Sequence, residues 1–255
     1  MLKEIKRFIS CLMFYTQIPC YQWASSDNED IKASSKYLPL VGIIVGACGG
    51  LVYYLTSFII PHSISVLLAI IATILITGAF HEDGFIDVCD AAGGGGEKEK
   101  ILDIMKDSRV GSYGVIGITL LLILQFTILV KILPQMLVLT IIAGHSLSRF
   151  SAIAVIYSDV YARKDDKSSK SGSMVQKLSN IELLIAFATV LIPLFAMGYM
   201  YLILLLPVFI VNKISMNYFN ATIGGYTGDC LGFIIKINEV LFYLLVLIVP
   251  WKYFL

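Results

Sequence analysis

Blocks of about twenty consecutive apolar residues recur along this chain, and they constrain its fold more than any other feature. "LPLVGIIVGACGGLVYYL" (38–55) and "GVIGITLLLILQFTILV" (114–130) are two of them. About 20 such residues let a helix cross the hydrocarbon core of a bilayer. Seven spans are predicted, at 38–60, 63–80, 113–133, 135–157, 181–199, 201–219 and 239–255. Pro193 and Pro207 interrupt the fifth and sixth. Membrane helices tolerate proline where neighbours satisfy the freed backbone groups. The composition agrees: 58% of the 255 residues are hydrophobic and 15% charged, where a soluble domain has about half and a quarter. The expectation is an all-α, polytopic integral membrane helical bundle in a lipid bilayer, one catalytic domain over 1–255.

The connections divide into two kinds. "PHS" (61–63), "PQ" (134–135) and the 199–201 turn are short and uncharged. The N-terminal segment, 81–112, 158–180 and 220–238 are long and polar, and with seven spans they share one face. That face is expected to carry nearly all the Lys and Arg, with Lys131, Arg149 and Lys252 as exceptions. The positive-inside rule puts it in the cytoplasm, with the N-terminus inside and the C-terminus outside. The acids gather there too, which marks a working face.

The N-terminal "MLKEIKRFISCLMF" has no cleavage site of a signal peptide. Leu2, Ile5, Phe8, Ile9, Leu12 and Met13 form one helical stripe, which suits an interfacial helix or an ordinary surface helix. A net charge of +1 gives no reason to expect nucleic acid. The cysteines at 11, 20, 48, 89 and 230 show no zinc or disulfide spacing.

Four stretches can carry chemistry. In "HEDGFIDVCD" (81–90), Asp83, Asp87 and Asp90 fall at i, i+4 and i+7 on one helical stripe, and Glu82 points about a quarter-turn away. Carboxylates ~6 Å apart repel by roughly 3 kcal/mol per pair at an effective dielectric of ~20. Such a group would raise its own pKa values or demand a cation, and an all-oxygen set suits Mg²⁺. A solvated acidic loop capping a span is the alternative. In "EKEKILDIMKDSRVGSYG" (97–114), Asp103 and Asp107 stack at i, i+4, and Lys106 and Arg109 add cations. These would balance a phosphate's charge, or would merely solvate an amphipathic helix. Arg149 lies one turn from His145 inside the fourth span. It needs a polar cavity and a partner, as an anion contact or as an inter-helix ion pair. In "GGYTGD" (224–229), Gly224, Gly225 and Gly228 could turn backbone N–H groups toward an anion, alongside Thr227. Asp229 could add a metal ligand. Asn238 and Glu239 read as caps at the mouth of the last span.

Taken together, "TQIP" (16–19), "LPLVGIIVG" (38–46), "HEDGFIDVCD", "IMKDSRVGSYG" (104–114), Arg149, "YAR" (161–163) and "GGYTGDCLG" (224–232) resemble the cobalamin synthase family. These are the adenosylcobinamide-GDP ribazoletransferases. The resemblance spans nearly the whole chain. It implies a Mg²⁺-dependent transferase that joins corrinoid-GDP to α-ribazole or its 5′-phosphate and releases GMP. It implies Asp83, Asp87 and Asp90 as metal carboxylates, and brings Lys106, Asp107, Arg109 and Asp229 into the site. His81, Glu82 and Asp107 are then the candidate bases for the attacking hydroxyl, and Arg149 with residues 224–229 the substrate contacts. A homo-oligomer, or a complex with other cobamide-assembly enzymes, is compatible with this reading. Two other classes share parts of this pattern. A CDP-alcohol phosphotransferase would want DGxxAR, and Ile86-Asp87 stand where Ala-Arg would fall. A transporter would want ionisable groups near the midplane on several helices, and only Arg149 and His145 are expected there.

Overall fold

A computed structural model describes residues 2–25, 27, 30–31, 33–163 and 178–248. Its helices are α1 (Leu2–Tyr15), α2 (Leu38–Thr56), α3 (His62–Thr77), α4 (Phe80–Gly94), α5 (Lys98–Ile104), α6 (Ser112–Lys131), α7 (Pro134–Ser158), α8 (Asn180–Met197), α9 (Leu205–Ile223) and α10 (Gly228–Ile248). Among the described residues six helical segments are long and apolar enough to cross a membrane, and a seventh if the bent pair α3–α4 counts as one span. The chain is a multi-pass, all-α membrane protein.

Outward faces are apolar, as a lipid-facing surface must be: α6 exposes Val115, Ile116, Leu120, Ile123 and Leu124. Inward, the helices meet through small residues. A Cβ on Gly42 would come within 2.3 Å of the His145 carbonyl oxygen, and one on Gly46 within 2.7 Å of the Ile142 Cα. These glycines let the backbones of α2 and α7 touch, which is how membrane helices gain van der Waals contact without a hydrophobic drive. α8 opens with a capping box, in which the Ser179 hydroxyl accepts from the Glu182 N–H and the Glu182 carboxylate accepts from the Ser179 N–H. It runs through Pro193. Pro207 lies in the first turn of α9, where its missing N–H costs nothing.

Two boundaries differ from expectation. The second span stops at Thr77, where Gly78 and Ala79 both adopt left-handed backbone (φ 65° and 57°) and turn α4 by 89° from α3. The acidic stretch is therefore a helix of its own. Its last turn is Gly93 and Gly94, and Gly95 and Gly96 end it with positive φ. The last span begins at Gly228 rather than 239, because the polar "GGYTGD" turn is followed at once by an apolar helix. Residues 220–238 are therefore not one loop. The far end of that predicted span, with Lys252 and the C-terminus, and the 163–173 loop beyond Arg163 lie outside the described residues.

α1 docks on the turn before α2. Lys36 lies 2.8 Å from Glu4, and Arg7 lies 2.8 Å from Asp30. Hydrogen bonds from Lys36 and Tyr37 hold the Glu4 carboxyl down at about 2. Leu2, Ile5 and Met13 stay exposed on α1.

Candidate functional site

The acids of α4 do not share one environment. Asp83 is exposed, and Asp87 is part-buried. Gly84, between them, meets α10 at the closest crossing in the site, and a Cβ on Gly232 would in turn lie 3.1 Å from the His81 carbonyl oxygen. This crossing sets the first turn of α10, with Asp229, beside α4. Asp229, Asp83 and Asp90 all act electrostatically on Asp87. Asp90 itself turns toward α6. Its two carboxylate oxygens accept the Gly111 and Gly114 N–H groups, each at 2.7 Å. It thus satisfies the orphan donors of a helix N-terminus, where a negative charge is also favoured by the helix dipole.

Asp229 has a fixed frame. Thr227 donates its hydroxyl to the Asp229 carboxylate (3.2 Å) and accepts the Cys230 N–H. A short ladder joins Tyr161 to Tyr226: Ala162 donates to the Tyr226 carbonyl and Tyr226 to the Val160 carbonyl. This ladder delivers Arg163, whose Nη2 lies 3.2 Å from the Asp229 carboxylate. The Arg163 side chain is only 10% exposed, and its buried Nε finds no partner. Arg163 ends the "YAR" stretch (161–163), and the sequence alone implies no role for it in the site. Gly224 and Gly225 take positive φ (73° and 150°) to turn from α9 into this ladder.

The second stretch contributes differently than expected. Its helix, α5, stops at Ile104, so Asp103 and Asp107 do not stack along it. Arg109 is 88% exposed and closes on Asp107 through its Nε (2.9 Å) and its own backbone N–H (3.0 Å). That pairing pulls the Asp107 carboxyl down to about 2. A carboxylate so acidic is a poor proton acceptor near neutrality. Met105 reaches the Thr227 hydroxyl (3.9 Å), which seats exposed Lys106 beside the turn into α10.

A second polar group lies inside the bundle. Lys236 Nζ is 3.0 Å from Glu82 and 3.2 Å from Glu239. Gln125 donates to Glu239 (3.0 Å). His145 Nδ1 lies 3.1 Å from Glu239, and Arg149, 1% exposed, lies 3.8 Å from it. Arg149 donates to the His145 carbonyl (3.0 Å). Two cations and two anions are thus held by α4, α6, α7 and α10, the balance a buried ionic group requires. His81 is also buried, stacked on Tyr15, with Nε2 unpartnered. Glu239 is therefore no cap, and Arg149 takes the second of its two expected roles, an inter-helix ion pair, with Glu239 as the partner. Ionisable groups at depth also prove commoner than expected: Glu82, Lys236 and Glu239 join Arg149 and His145, and Lys213 lies within α9. The signal was present in "FIIKINEV" (233–240), a Lys and a Glu one turn apart in an apolar run. The late start assigned to the last span concealed it.

Residues 7–247 match the cobalamin-5-phosphate synthase family. The chain belongs to that family. A protein of Shewanella frigidimarina named adenosylcobinamide-GDP ribazoletransferase is 40% identical over 252 residues, covering 97% of this chain and 96% of its own. One of the same name from Shewanella piezotolerans is 41% identical over 251 residues, with the same coverage. No solved structure matches the chain. Membership of the cobalamin-5-phosphate synthase family bears out the resemblance carried by the acid, basic and glycine-rich stretches. The fold puts parts of all three together, around the first turn of α10. Among the described residues, no three His, Cys, Asp or Glu side chains converge closely enough to hold a metal ion by themselves.

Proposed function

We propose that this chain joins adenosylcobinamide-GDP to α-ribazole or its 5′-phosphate and releases GMP. The observation that carries this reading is near-complete coverage, at about 40% identity, of relatives bearing that activity in their name. The acid patch on α4 and α10 supports it independently. Asp83, Asp87 and Asp229 crowd together with Arg163 as a near counter-charge, which is the electrostatic surplus a bound cation removes. Mg²⁺ is commonly held by one or two carboxylates, completed by water and substrate phosphates. An open pair of carboxylates fits that habit, and the lack of a closed protein cage does not oppose it.

Asp87 and Asp229, the most strongly coupled of these carboxylates, would hold the ion, with Asp83 adding negative charge beside them; the ion would supply charge neutralisation on the pyrophosphate. Asp90 we assign to capping α6 rather than to the ion, since both its oxygens are occupied. Arg163 and Lys106 would bind phosphate oxygens at the same edge. Arg149 and His145 are sealed in the bundle, and they stiffen the helices that carry the patch. His81 and Glu82, buried or ion-paired, frame the site from beneath. In the reaction the ribazole hydroxyl oxygen bonds to the phosphorus on the cobinamide side. The bond from that phosphorus to the bridging oxygen breaks, GMP leaves, and the hydroxyl proton passes to the carboxylate patch. This face is proposed to be cytoplasmic.

The test is incubation of purified protein in proteoliposomes with adenosylcobinamide-GDP and α-ribazole, with and without Mg²⁺. Cobamide and GMP should appear in equal amounts, and only with the divalent ion. Substrate consumption without cobamide would overturn the reading.

A further inference from the structure

The reaction needs a second site, for the nucleoside that attacks. Between α7, α8 and α9 lies a cleft of about 610 Å³, within the size range of small-molecule sites. A narrower apolar extension of about 150 Å³ continues from it and is lined by Phe150, Phe187 and Phe209.

The wall formed by α9 is unusual for a membrane helix. Lys213, Asn217 and Asn220 fall at i, i+4 and i+7, so they share one stripe, and all three line the cleft. Lys213 is eight residues from the start of α9 and makes no ion pair among the described residues. An ionisable residue within a span is costly and marks a function by default. Beside it Asn212 is already committed, donating to the Ser151 carbonyl and accepting from Asn238. The opposite wall supplies Phe150 and Tyr157 from α7. Among the described residues, the cleft thus combines aromatic side chains, amide groups along one side and one cation.

Its mouth is close to the acid patch. Asn220 donates to Asp159 (3.0 Å) at the rim. Four residues on from Asp159 is Arg163, which meets Asp229. Four extended residues span at most about 14 Å.

We propose that this cleft binds the nucleoside substrate: a heteroaromatic base between Phe150 and Phe209, the ribose on Asn217 and Asn220, and a 5′-phosphate, when present, on Lys213. The assignment rests on the transferase reading above. A lipid chain is the competing occupant, and it would use the aromatic walls but have no need of the amides.

The experiment measures KM for both substrates in proteoliposomes containing wild type, Lys213→Gln or Ala154→Phe. Ala154 lines the cleft, and the larger ring would fill it. Ala154→Phe should raise KM for α-ribazole and for its 5′-phosphate at least about tenfold, the scale of one lost charge-assisted hydrogen bond or ring contact. Lys213→Gln should raise KM only for the 5′-phosphate. KM for adenosylcobinamide-GDP should stay put in both. Should Ala154→Phe fail to fold, Lys213→Gln decides, because its side chain is exposed and makes no ion pair among the described residues. Wild-type turnover with both nucleoside KM values unmoved would overturn the cleft assignment alone and favour lipid. Absence of wild-type turnover would remove the functional reading and this inference with it.

Discussion

Gly84 lies against the backbone of Asp229: a Cβ on it would come 2.9 Å from the Asp229 carbonyl oxygen and 3.0 Å from its Cα. Backbone atoms cannot swing aside as a side-chain tip can, so Gly84→Ala must push α4 away from α10. The acids of the two helices would separate. Overpacking of this kind costs typically about 1–3 kcal/mol. Gly84→Ala should lower the thermal midpoint in detergent and reduce turnover well beyond the loss of folded protein. Wild-type turnover in this variant would show that the crossing does not set the site.

Asp87 and Asp90 are one helical turn apart, yet the structure gives them different work. Asp87→Asn should abolish turnover and weaken Mn²⁺ binding, measured by electron paramagnetic resonance on the substrate-free protein, while leaving membrane insertion intact. Asp90→Asn keeps one acceptor where two N–H groups need one each. It should cost about 1–2 kcal/mol of stability, the scale of a lost cap, and leave Mn²⁺ affinity unchanged. A loss of Mn²⁺ binding in Asp90→Asn equal to that in Asp87→Asn would return Asp90 to the metal.

Arg163 competes with any cation for Asp229, since its Nη2 sits on that carboxylate. Arg163→Ala should therefore tighten Mn²⁺ binding to the substrate-free protein. It should at the same time raise KM for adenosylcobinamide-GDP, because the guanidinium that would meet the pyrophosphate is gone. A merely structural arginine would not produce the first effect. Unchanged Mn²⁺ affinity with normal KM would remove Arg163 from the site.

The span pattern was legible because hydropathy depends on local composition alone. The stripe of Asp83, Asp87 and Asp90 was legible as a helix period, but its division was not. Asp90 is turned aside by Gly111 and Gly114, partners more than twenty residues away that no spacing reveals. Lys236 and Glu239 were hidden for a related reason. A polar turn and the polar start of a helix look alike in sequence, so 220–238 read as one loop. Lys213 passed unremarked as one charge in a span. The convergence at Asp229 depends on a crossing of two glycines, Gly84 and Gly232, from distant segments. Glycines carry no chemical signal of what they will touch.

The buried ionic group yields a prediction with opposite signs for single and double variants. Lys236 stands between Glu82 and Glu239 and is fully enclosed. Lys236→Met leaves two carboxylates without their shared cation in a low-dielectric interior: Glu239 keeps Arg149 and His145, whereas Glu82 keeps no ion pair among the described residues and feels Arg149 only at longer range. Breaking a buried pair from one side typically costs about 3–5 kcal/mol. Glu82→Gln alone should cost less, since Lys236 retains Glu239. The double variant Lys236→Met/Glu82→Gln should recover much of the loss, because the carboxylate left stranded has been made neutral. Thermal midpoints of wild type, both single variants and the double variant form a mutant cycle that isolates this coupling. Additive losses would show that Lys236 and Glu82 are not energetically paired. Recovery of stability with turnover still reduced would show in addition that the ionic group positions α4 for the reaction, beyond holding the bundle together.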